Sequence, residues 1–349
     1  MQDGKVSFAY SSFLGYTKND DGKIVIVEEE AEIVRRIYNM YIEGRSTVEI
    51  AEILTKEGIP TPRKKAVWQN STVQSILSNE KYRGDALLQK TFSSNYKTKK
   101  PIKNTGQIPQ YYISNSHPAI IDEDTFDLVQ EIQLERNAHH SMLSRTGELS
   151  TKIICGDCGG FFGRKSFKRA DGIAPHWRCN GKYEGRTCQI PDLSEEYIHD
   201  TFVKALNIHL ENKEDYIREA LATIDEFREI RSKSKAAIKK AQTEFEDAAE
   251  KYNSEVSNYA LSSPDNGQLA EYDKAYKRAE ENYSAKKRAY LKDVAKMTKL
   301  TWYVECVKNI HTGAEEYDPE LFRKTIEKVV VKTNGKLTFY FVNGTKVTV

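Results

Sequence analysis

The 349-residue sequence has no apolar run approaching the roughly 20 residues of a membrane-spanning helix, and no apolar leader follows Met1. We therefore expect no membrane partner and a cytoplasmic location. Cysteine is scarce too, at five residues. Without a secretory signal, so few cysteines favour a reducing compartment, where paired cysteines more often bind metal than form disulfides.

Net charge is small, at +2, because 53 Lys and Arg nearly balance 51 Asp and Glu. The balance conceals two basic zones. Residues 56–103 hold 11 basic and 3 acidic side chains, and residues 151–193 hold 8 and 4, so the rest of the chain is acidic. This distribution predicts a polyanionic partner contacted at two places, with ordinary solvated surfaces as the alternative.

Residues 1–136 are predicted to form a mainly helical domain. Apolar spacing indicates three short helices, the second beginning at Ser46 and the third at Asn70 or Ser71. We expect capping boxes from Ser46 with Glu49 and from Ser71 with Gln74. Three short helices with a basic approach to the third are typical of a helix-turn-helix, although a plain three-helix bundle has the same periodicity.

In a helix-turn-helix the third helix enters the major groove of DNA. Its outward polar side chains would contact base edges or phosphates, and the basic loop before it would supply salt-sensitive affinity. The candidate helix residues are Gln69, Asn70, Ser71, Thr72, Gln74 and Ser75, and the candidate loop residues are Arg63, Lys64 and Lys65. Further along, residues 91–110 are predicted to be a mobile basic loop.

The cysteine spacing is the most specific chemical signal in the chain. Four cysteines occur as C-x2-C and C-x8-C pairs, namely Cys155, Cys158, Cys179 and Cys188. Tetrahedral zinc takes four thiolate or imidazole ligands, so the spacing predicts a zinc ribbon with a structural Zn²⁺. An alternative set uses His176 together with Cys179. Cys306 lies apart and is predicted to be a packing residue.

Residues between the two cysteine pairs are predicted to form a hairpin. Gly156, Gly159 and Gly160 would permit the tight turn at the first pair, because glycine tolerates positive φ. Basic side chains on the hairpin could reach phosphates. These candidates are Arg164, Lys165, Lys168 and Arg169.

Residues 206–298 are rich in Glu, Lys, Ala and Tyr and carry apolar residues at steps of three and four. A strong turn signal interrupts the pattern, which predicts a long antiparallel coiled-coil hairpin. The predicted tip residues are Ser263, Pro264, Asp265, Asn266 and Gly267. The hairpin would serve as a protein–protein contact, or alternatively pack only on itself.

These patterns together predict an α+β multidomain chain. A helix-turn-helix domain over residues 1–136 is followed by a linker over 137–151 and a zinc ribbon domain over 152–205. A coiled-coil arm spans 206–298. A small β element with a helix, over 299–349, is expected to pack on the zinc ribbon domain.

Four segments carry a family resemblance: Phe13-Leu14-Gly15-Tyr16, Glu30–Tyr38, Gly58-Ile59-Pro60-Thr61-Pro62, and Ser71-Thr72-Val73 with Ile76-Leu77. They resemble the recombinase domain of large serine recombinases, and the zinc ribbon and coiled coil follow in that family's order. The resemblance covers essentially the whole chain. It is closest to the prophage integrases and transposon resolvases of Gram-positive bacteria, which implies a bacterial or phage-encoded protein.

Large serine recombinases form a phosphoserine bond to DNA and move mobile elements between attachment sites. The resemblance implies that Ser71–Asn79 reads the major groove and that the linker, with Arg145, follows the minor groove. It implies that the zinc ribbon reads a second DNA segment. The coiled coil would bridge other subunits of the same protein during synapsis, and a directionality factor is a further implied partner.

The family's catalytic domain precedes the recombinase domain, and here the match begins at Phe13. We therefore expect that the serine nucleophile domain is absent, that Ser11 and Ser12 are turn residues, and that the chain has no catalytic residue. It would bind DNA and self-associate without cutting. Two alternatives are a zinc-ribbon transcriptional regulator and a coiled-coil scaffold whose zinc ribbon docks protein.

Overall fold

A computed structural model describes residues 8, 10–93, 101–104, 107–108, 110–138, 147–169, 172–182, 188–261 and 266–349. The chain divides into two compact units, residues 1–148 and residues 149–349. Helices and small sheets occur in both units, so the expected mixture of α and β structure is confirmed. No described helix is long and apolar enough to cross a membrane.

The first unit is built on four helices and three two-stranded sheets. The helices are α1 (Glu28–Ile42), α2 (Thr47–Lys56), α3 (Asn70–Leu77) and α4 (Glu123–Ala138). The paired strands are β1 (Tyr16–Lys18) with β2 (Ile24–Ile26), β3 (Ala86–Leu88) with β6 (Tyr111–Ile113), and β4 (Thr91–Ser93) with β5 (Pro101–Lys103).

Capping and one buried hydroxyl position the third helix. The Glu49 amide donates to Ser46 Oγ at the start of α2, as predicted. The capping box predicted from Ser71 and Gln74 is wrong. Helix α3 begins at Asn70, which places Ser71 inside the first turn, and the N-cap residue Gln69 makes no side-chain cap. The buried Tyr38 hydroxyl of α1 donates to the carbonyl oxygens of Ile76 and Leu77, tying α1 to the end of α3.

The mobile loop predicted over residues 91–110 is also wrong in part, because β4 and β5 pair within it. Asn104 follows β5, is 4% exposed, and donates from its amide to the carbonyl oxygens of Gln89 and Ile108. The bond to Gln89 joins residues 15 apart, and neither bond produces a periodic pattern in the sequence. Residues 94–100, 105–106 and 109 of the predicted loop lie outside the described residues.

The second unit contains two sheets and four helices. The helices are α5 (Glu195–Leu210), α6 (Lys213–Leu261), α7 (Asn266–Lys308) and α8 (Pro319–Thr325). One sheet has the order β10-β9-β8, with β8 (Phe162–Arg169), β9 (Gly172–Cys179) and β10 (Leu193–Ser194). The other has the order β13-β12-β11-β7, with β7 (Ile153–Cys155), β11 (Ile326–Val331), β12 (Leu337–Phe341) and β13 (Lys346–Thr348).

The second sheet joins distant parts of the sequence, because β7 pairs in parallel with β11. Phe202 of α5 packs against Phe322 of α8 and Phe339 of β12, which places an aromatic cluster beneath the sheet. Leu149 is 2% exposed and belongs to the same core. The predicted linker over 137–151 is therefore too long at both ends. Leu149 belongs to the core of the second unit, and α4 extends to Ala138.

Helices α6 and α7 run antiparallel and pack along each other. Rings pair along them from Phe227 with Tyr290 to Phe245 with Tyr283, at centroid distances of 6.2 and 5.9 Å. Asn266 and Gly267, predicted as part of the tip turn, lie in the first turn of α7. Ser263, Pro264 and Asp265 lie outside the described residues.

Candidate nucleic-acid interface and metal centre

The first unit carries a groove of about 390 Å³ between the loop before α3 and the exposed side of that helix. Six of the predicted DNA-binding residues line it, namely Arg63, Lys65, Gln69, Ser71, Thr72 and Ser75. Lys64, Asn70 and Gln74 are exposed beside it and do not line it. Predicted base-reading and phosphate-binding residues are thus neighbours on one surface.

Backbone contacts hold the basic loop in a defined turn. The Thr61 amide donates to the Lys65 carbonyl oxygen, and the Lys65 amide returns a bond to Thr61 Oγ1 at 2.8 Å. Lys64 between them has φ of +57°, a left-handed conformation that few residues other than glycine adopt. The turn presents three exposed cations, and none of them forms an ion pair with a carboxylate of the described residues.

Trp68 anchors the other end of the loop. It is 3% exposed, its Nε1 donates to the Ile59 carbonyl oxygen at 2.8 Å, and its amide donates to Thr55 Oγ1 at 2.9 Å. With Trp68 turned inward, Val67 is 56% exposed and lines the groove. The sequence analysis did not select Val67. The available signal was an apolar residue next to a tryptophan in an otherwise polar loop.

The second unit brings the four predicted cysteines together. Their sulfur atoms all lie within 4.8 Å of one another, with Cys155 Sγ 3.3 Å from Cys188 Sγ and Cys158 Sγ 3.4 Å from Cys179 Sγ. Tetrahedral zinc with Zn–S bonds of about 2.3 Å separates its sulfurs by about 3.8 Å, within the observed spread. Burial raises the pKa of the Cys179 thiol, which a coordinated metal would reverse. The donor set fits zinc.

Two glycines shape the turn around the first cysteine pair for different reasons, one between the cysteines and one directly after Cys158. Gly159 has φ of +70°, as predicted. Gly156 and Gly160 are not among the positive-φ glycines, so that part of the prediction is wrong. At Gly156 a Cβ atom would lie 2.7 Å from the Val331 carbonyl oxygen, to which the Gly156 amide donates. Close approach of β11 therefore requires glycine at position 156.

His176, the alternative ligand, lies in strand β9 opposite Lys165 and Ser194. The cluster of donor atoms found among the described residues contains the four cysteines and not this imidazole. The geometry therefore favours the ligand set composed of cysteines alone.

The predicted basic contacts on the ribbon hairpin are not equivalent. Arg164 Nε lies 2.8 Å from a Glu195 carboxylate oxygen that also accepts from Trp177 Nε1. Burial raises the pKa of Glu195, but the hydrogen bonds from Arg164 and Trp177 outweigh it, and the net pKa shift is downward. A phosphate at Arg164 would compete with this carboxylate. Lys165 is partly buried in β8.

The remaining predicted contacts can be placed only by the backbone. Lys168 and Arg169 occupy the end of β8, and their side chains lie outside the described residues, as does all of Arg145.

Both units contain segments that match known domain families. Residues 28–136 match the recombinase domain family, and residues 148–207 match the recombinase zinc beta ribbon domain family. A putative DNA recombinase of Bacillus subtilis (strain 168) is 28% identical over 170 residues, which are 46% of this chain and 34% of that protein. Each unit thus contains a segment that resembles a domain of DNA recombinases.

The match therefore spans about a third of the length of that relative. A solved structure of an LSR–DNA complex aligns over 96% of this chain and 93% of its own, at 17% identity and a TM-score of 0.41. This likeness is weak.

Proposed function

We propose that the two units bind attachment-site DNA for site-specific recombination of a phage or other mobile element. The groove of the first unit is the observation that carries this proposal. A rigid turn presents Arg63, Lys64 and Lys65 beside the polar side of α3, without carboxylate partners among the described residues. Unneutralised cations beside amide and hydroxyl side chains are what a DNA-reading surface needs.

Helix α3 is assigned to base recognition. Gln69, Asn70 and Gln74 carry amides that pair with adenine edges, and Ser71, Thr72 and Ser75 contact bases or phosphates. Arg63, Lys64 and Lys65 bind phosphates and give salt-dependent affinity. The short helix exposes this edge because Val73, Ile76 and Leu77 are buried on its other side.

The second unit is assigned to a second DNA segment, with Lys165, Lys168 and Arg169 as backbone contacts and Arg164 available when Glu195 releases it. Arg145 would contact the minor groove of the same DNA, as the family resemblance implies. Cys155, Cys158, Cys179 and Cys188 would hold Zn²⁺, which when bound cross-links the ribbon and takes no part in chemistry.

Helices α6 and α7 are assigned to contacts with other subunits of the same protein. A 49-residue helix extends about 70 Å at 1.5 Å per residue, long enough to reach another DNA-bound subunit. The segment at residues 263–267 would form the contact tip and a place for a directionality factor.

The experiment is capture of fragments from the source genome by the zinc-loaded chain, followed by sequencing and titration with salt. Recovery of one site at the boundary of a mobile element, with salt-dependent affinity, supports the proposal. Recovery of promoters would favour a transcriptional regulator, and absence of salt-sensitive binding would favour a scaffold.

A further inference from the structure

Strands β11, β12 and β13 of the sheet that also contains β7 lie outside both matched domains, and their two faces differ strongly. Strand residues alternate between the faces of a sheet. Val329, Val331 and Phe339 point into the core and are fully buried, so their neighbours along β11 and β12 point outward. By the same alternation, the side away from that core carries Lys328, Val330, Lys332, Lys336, Thr338, Tyr340, Lys346 and Thr348, of which Thr338 is 4% exposed and Val330 and Tyr340 are half-buried.

The four lysines on this face are arranged around a tyrosine. Lys328 pairs in register with Tyr340, which in turn pairs with Lys346, so the tyrosine stands between two lysines across three strands. Lys328 Nζ lies 4.9 Å from the Tyr340 ring centroid. Lys332 and Lys336 are joined by a backbone hydrogen bond of 2.8 Å at the adjoining turn. All four lysines are exposed.

No outward residue of this face is acidic. The nearest carboxylate in sequence, Glu327, sits at a register shift in β11 and pairs with Lys299 of α7 at 3.3 Å. None of the four lysines forms an ion pair within the described part of the chain. The face is therefore a cationic surface whose lysines have no ion-pair partner among the described residues, with two lysines on strands and two at the turn between β11 and β12.

The surface adjoins the ribbon. Gly156, between the first two cysteines, lies against Val330, whose Cγ1 would be 3.3 Å from a Cβ at that position. Strand β11 also pairs with β7, which ends at Cys155. A duplex contacted by the ribbon would thus find this face on the same folded unit.

We infer that Lys328, Lys332, Lys336, Lys346 and Tyr340 form a second DNA-backbone surface in the C-terminal sheet, which binds phosphates without reading sequence. The inference rests on the proposed function and extends it to a region that neither domain match covers. Ammonium groups bind phosphates as point charges, and a half-buried tyrosine can pack on sugar or donate to phosphate, so the chemistry suits a phosphodiester backbone.

The test compares two variants of equal charge on the DNA duplex captured above. One replaces Lys328, Lys332, Lys336 and Lys346 with Gln, and the control replaces four exposed lysines of α6 and α7, Lys239, Lys240, Lys286 and Lys296, with Gln. Each lost phosphate contact lowers the slope of log affinity against log salt by about 0.9. We expect the sheet variant to lose about three units of slope and about 10- to 100-fold affinity, on non-cognate DNA as well.

A second measurement avoids any folding defect in the variant. The wild-type chain is acetylated with and without DNA, and DNA should protect these four lysines but not the four control lysines. Equal slopes for the two variants, or equal acetylation with and without DNA, would overturn this inference while leaving the proposed function intact. A wild-type chain without salt-dependent DNA binding would overturn both.

Discussion

The two proposed DNA-binding surfaces are held in shape by different physical means. In the first, the basic turn is fixed by a buried tryptophan and by hydrogen bonds around Thr61, so hydrophobic packing sets the shape of the surface. In the second, the four clustered cysteines would hold the ribbon strands together through a bound Zn²⁺, and Arg164 is partly neutralised by Glu195. The shape of the first surface should therefore be independent of metal, whereas the shape of the second should depend on it.

Metal removal is expected to have the largest effect and to separate the two units. Zinc contributes about 10–16 kcal/mol to the folding of small zinc modules. A chelator should therefore accelerate amide exchange in β7, β8 and β9, while α1 to α4 keep their protection. Cys179→Ser should act like the chelator, whereas Cys306→Ser, outside the cluster, should not. Equal loss of protection in both units would contradict this difference in metal dependence.

Trp68→Ala should be the largest single perturbation of the first unit. It removes a ring that is 3% exposed together with its bond to Ile59, and such truncations cost about 3–5 kcal/mol. Trp68→Phe keeps most of the ring and loses the donor, so it should cost about 1–2 kcal/mol. Chemical denaturation followed by helical circular dichroism measures both. A cost for Trp68→Ala no greater than for Trp68→Phe would contradict the anchoring role.

Acidification should destabilise the second unit through His209. This imidazole is 1% exposed, stacks on Phe341, and has hydrogen bonds with the Tyr303 hydroxyl and Thr345 Oγ1. Burial lowers its pKa to about 4, against about 6.5 in an unfolded chain. Below pH 6.5 the unfolded chain binds a proton that the folded chain does not, so the free energy of unfolding falls towards pH 4.

That fall should amount to at most about 3 kcal/mol, with no contribution from His209 above pH 6.5. His209→Gln removes the titration and should flatten the profile in this window, and the exposed His311→Gln serves as the control. Amide exchange of α5 against pH resolves the unit concerned. An unchanged pH profile in His209→Gln would exclude this residue as the cause.

The smallest expected effect concerns Val67. The side chain is 56% exposed at the groove and suits contact with a thymine methyl group. Val67→Ala should weaken binding of the captured site about two- to fivefold, in line with about 0.8 kcal/mol per buried methylene. Replacing the contacted thymine with uracil should weaken binding of the wild-type chain by the same factor. The replacement should not weaken binding of Val67→Ala any further. Val48→Ala, on α2, is the control, and additive losses would argue against the contact.

Local patterns predicted much of this molecule. The N-cap of α2 at Ser46 follows from a partner three residues away, and the cysteine set follows from the spacing within two short cysteine pairs. The long helices α6 and α7 were predictable in the same way, from apolar residues spaced three and four apart over residues 206–298.

Long-range contacts were not predictable in this way. The parallel pairing of β7 with β11 joins Ile153 to Val329, and the need for glycine at position 156 arises only from that pairing. The Arg164–Glu195 ion pair links a strand to a helix in the same manner, so a residue expected to be free for phosphate has a counterion. Such features follow from tertiary packing and have no signature in the local sequence.

The most direct test of the account is a hydroxyl-radical footprint of the chain on the captured duplex, recorded with zinc and after chelation. We predict two protected segments with zinc, of which chelation removes one and leaves the segment bound by α3. A single protected segment that chelation leaves unchanged, or loss of all protection on chelation, would contradict the claim that two independently stabilised units bind DNA.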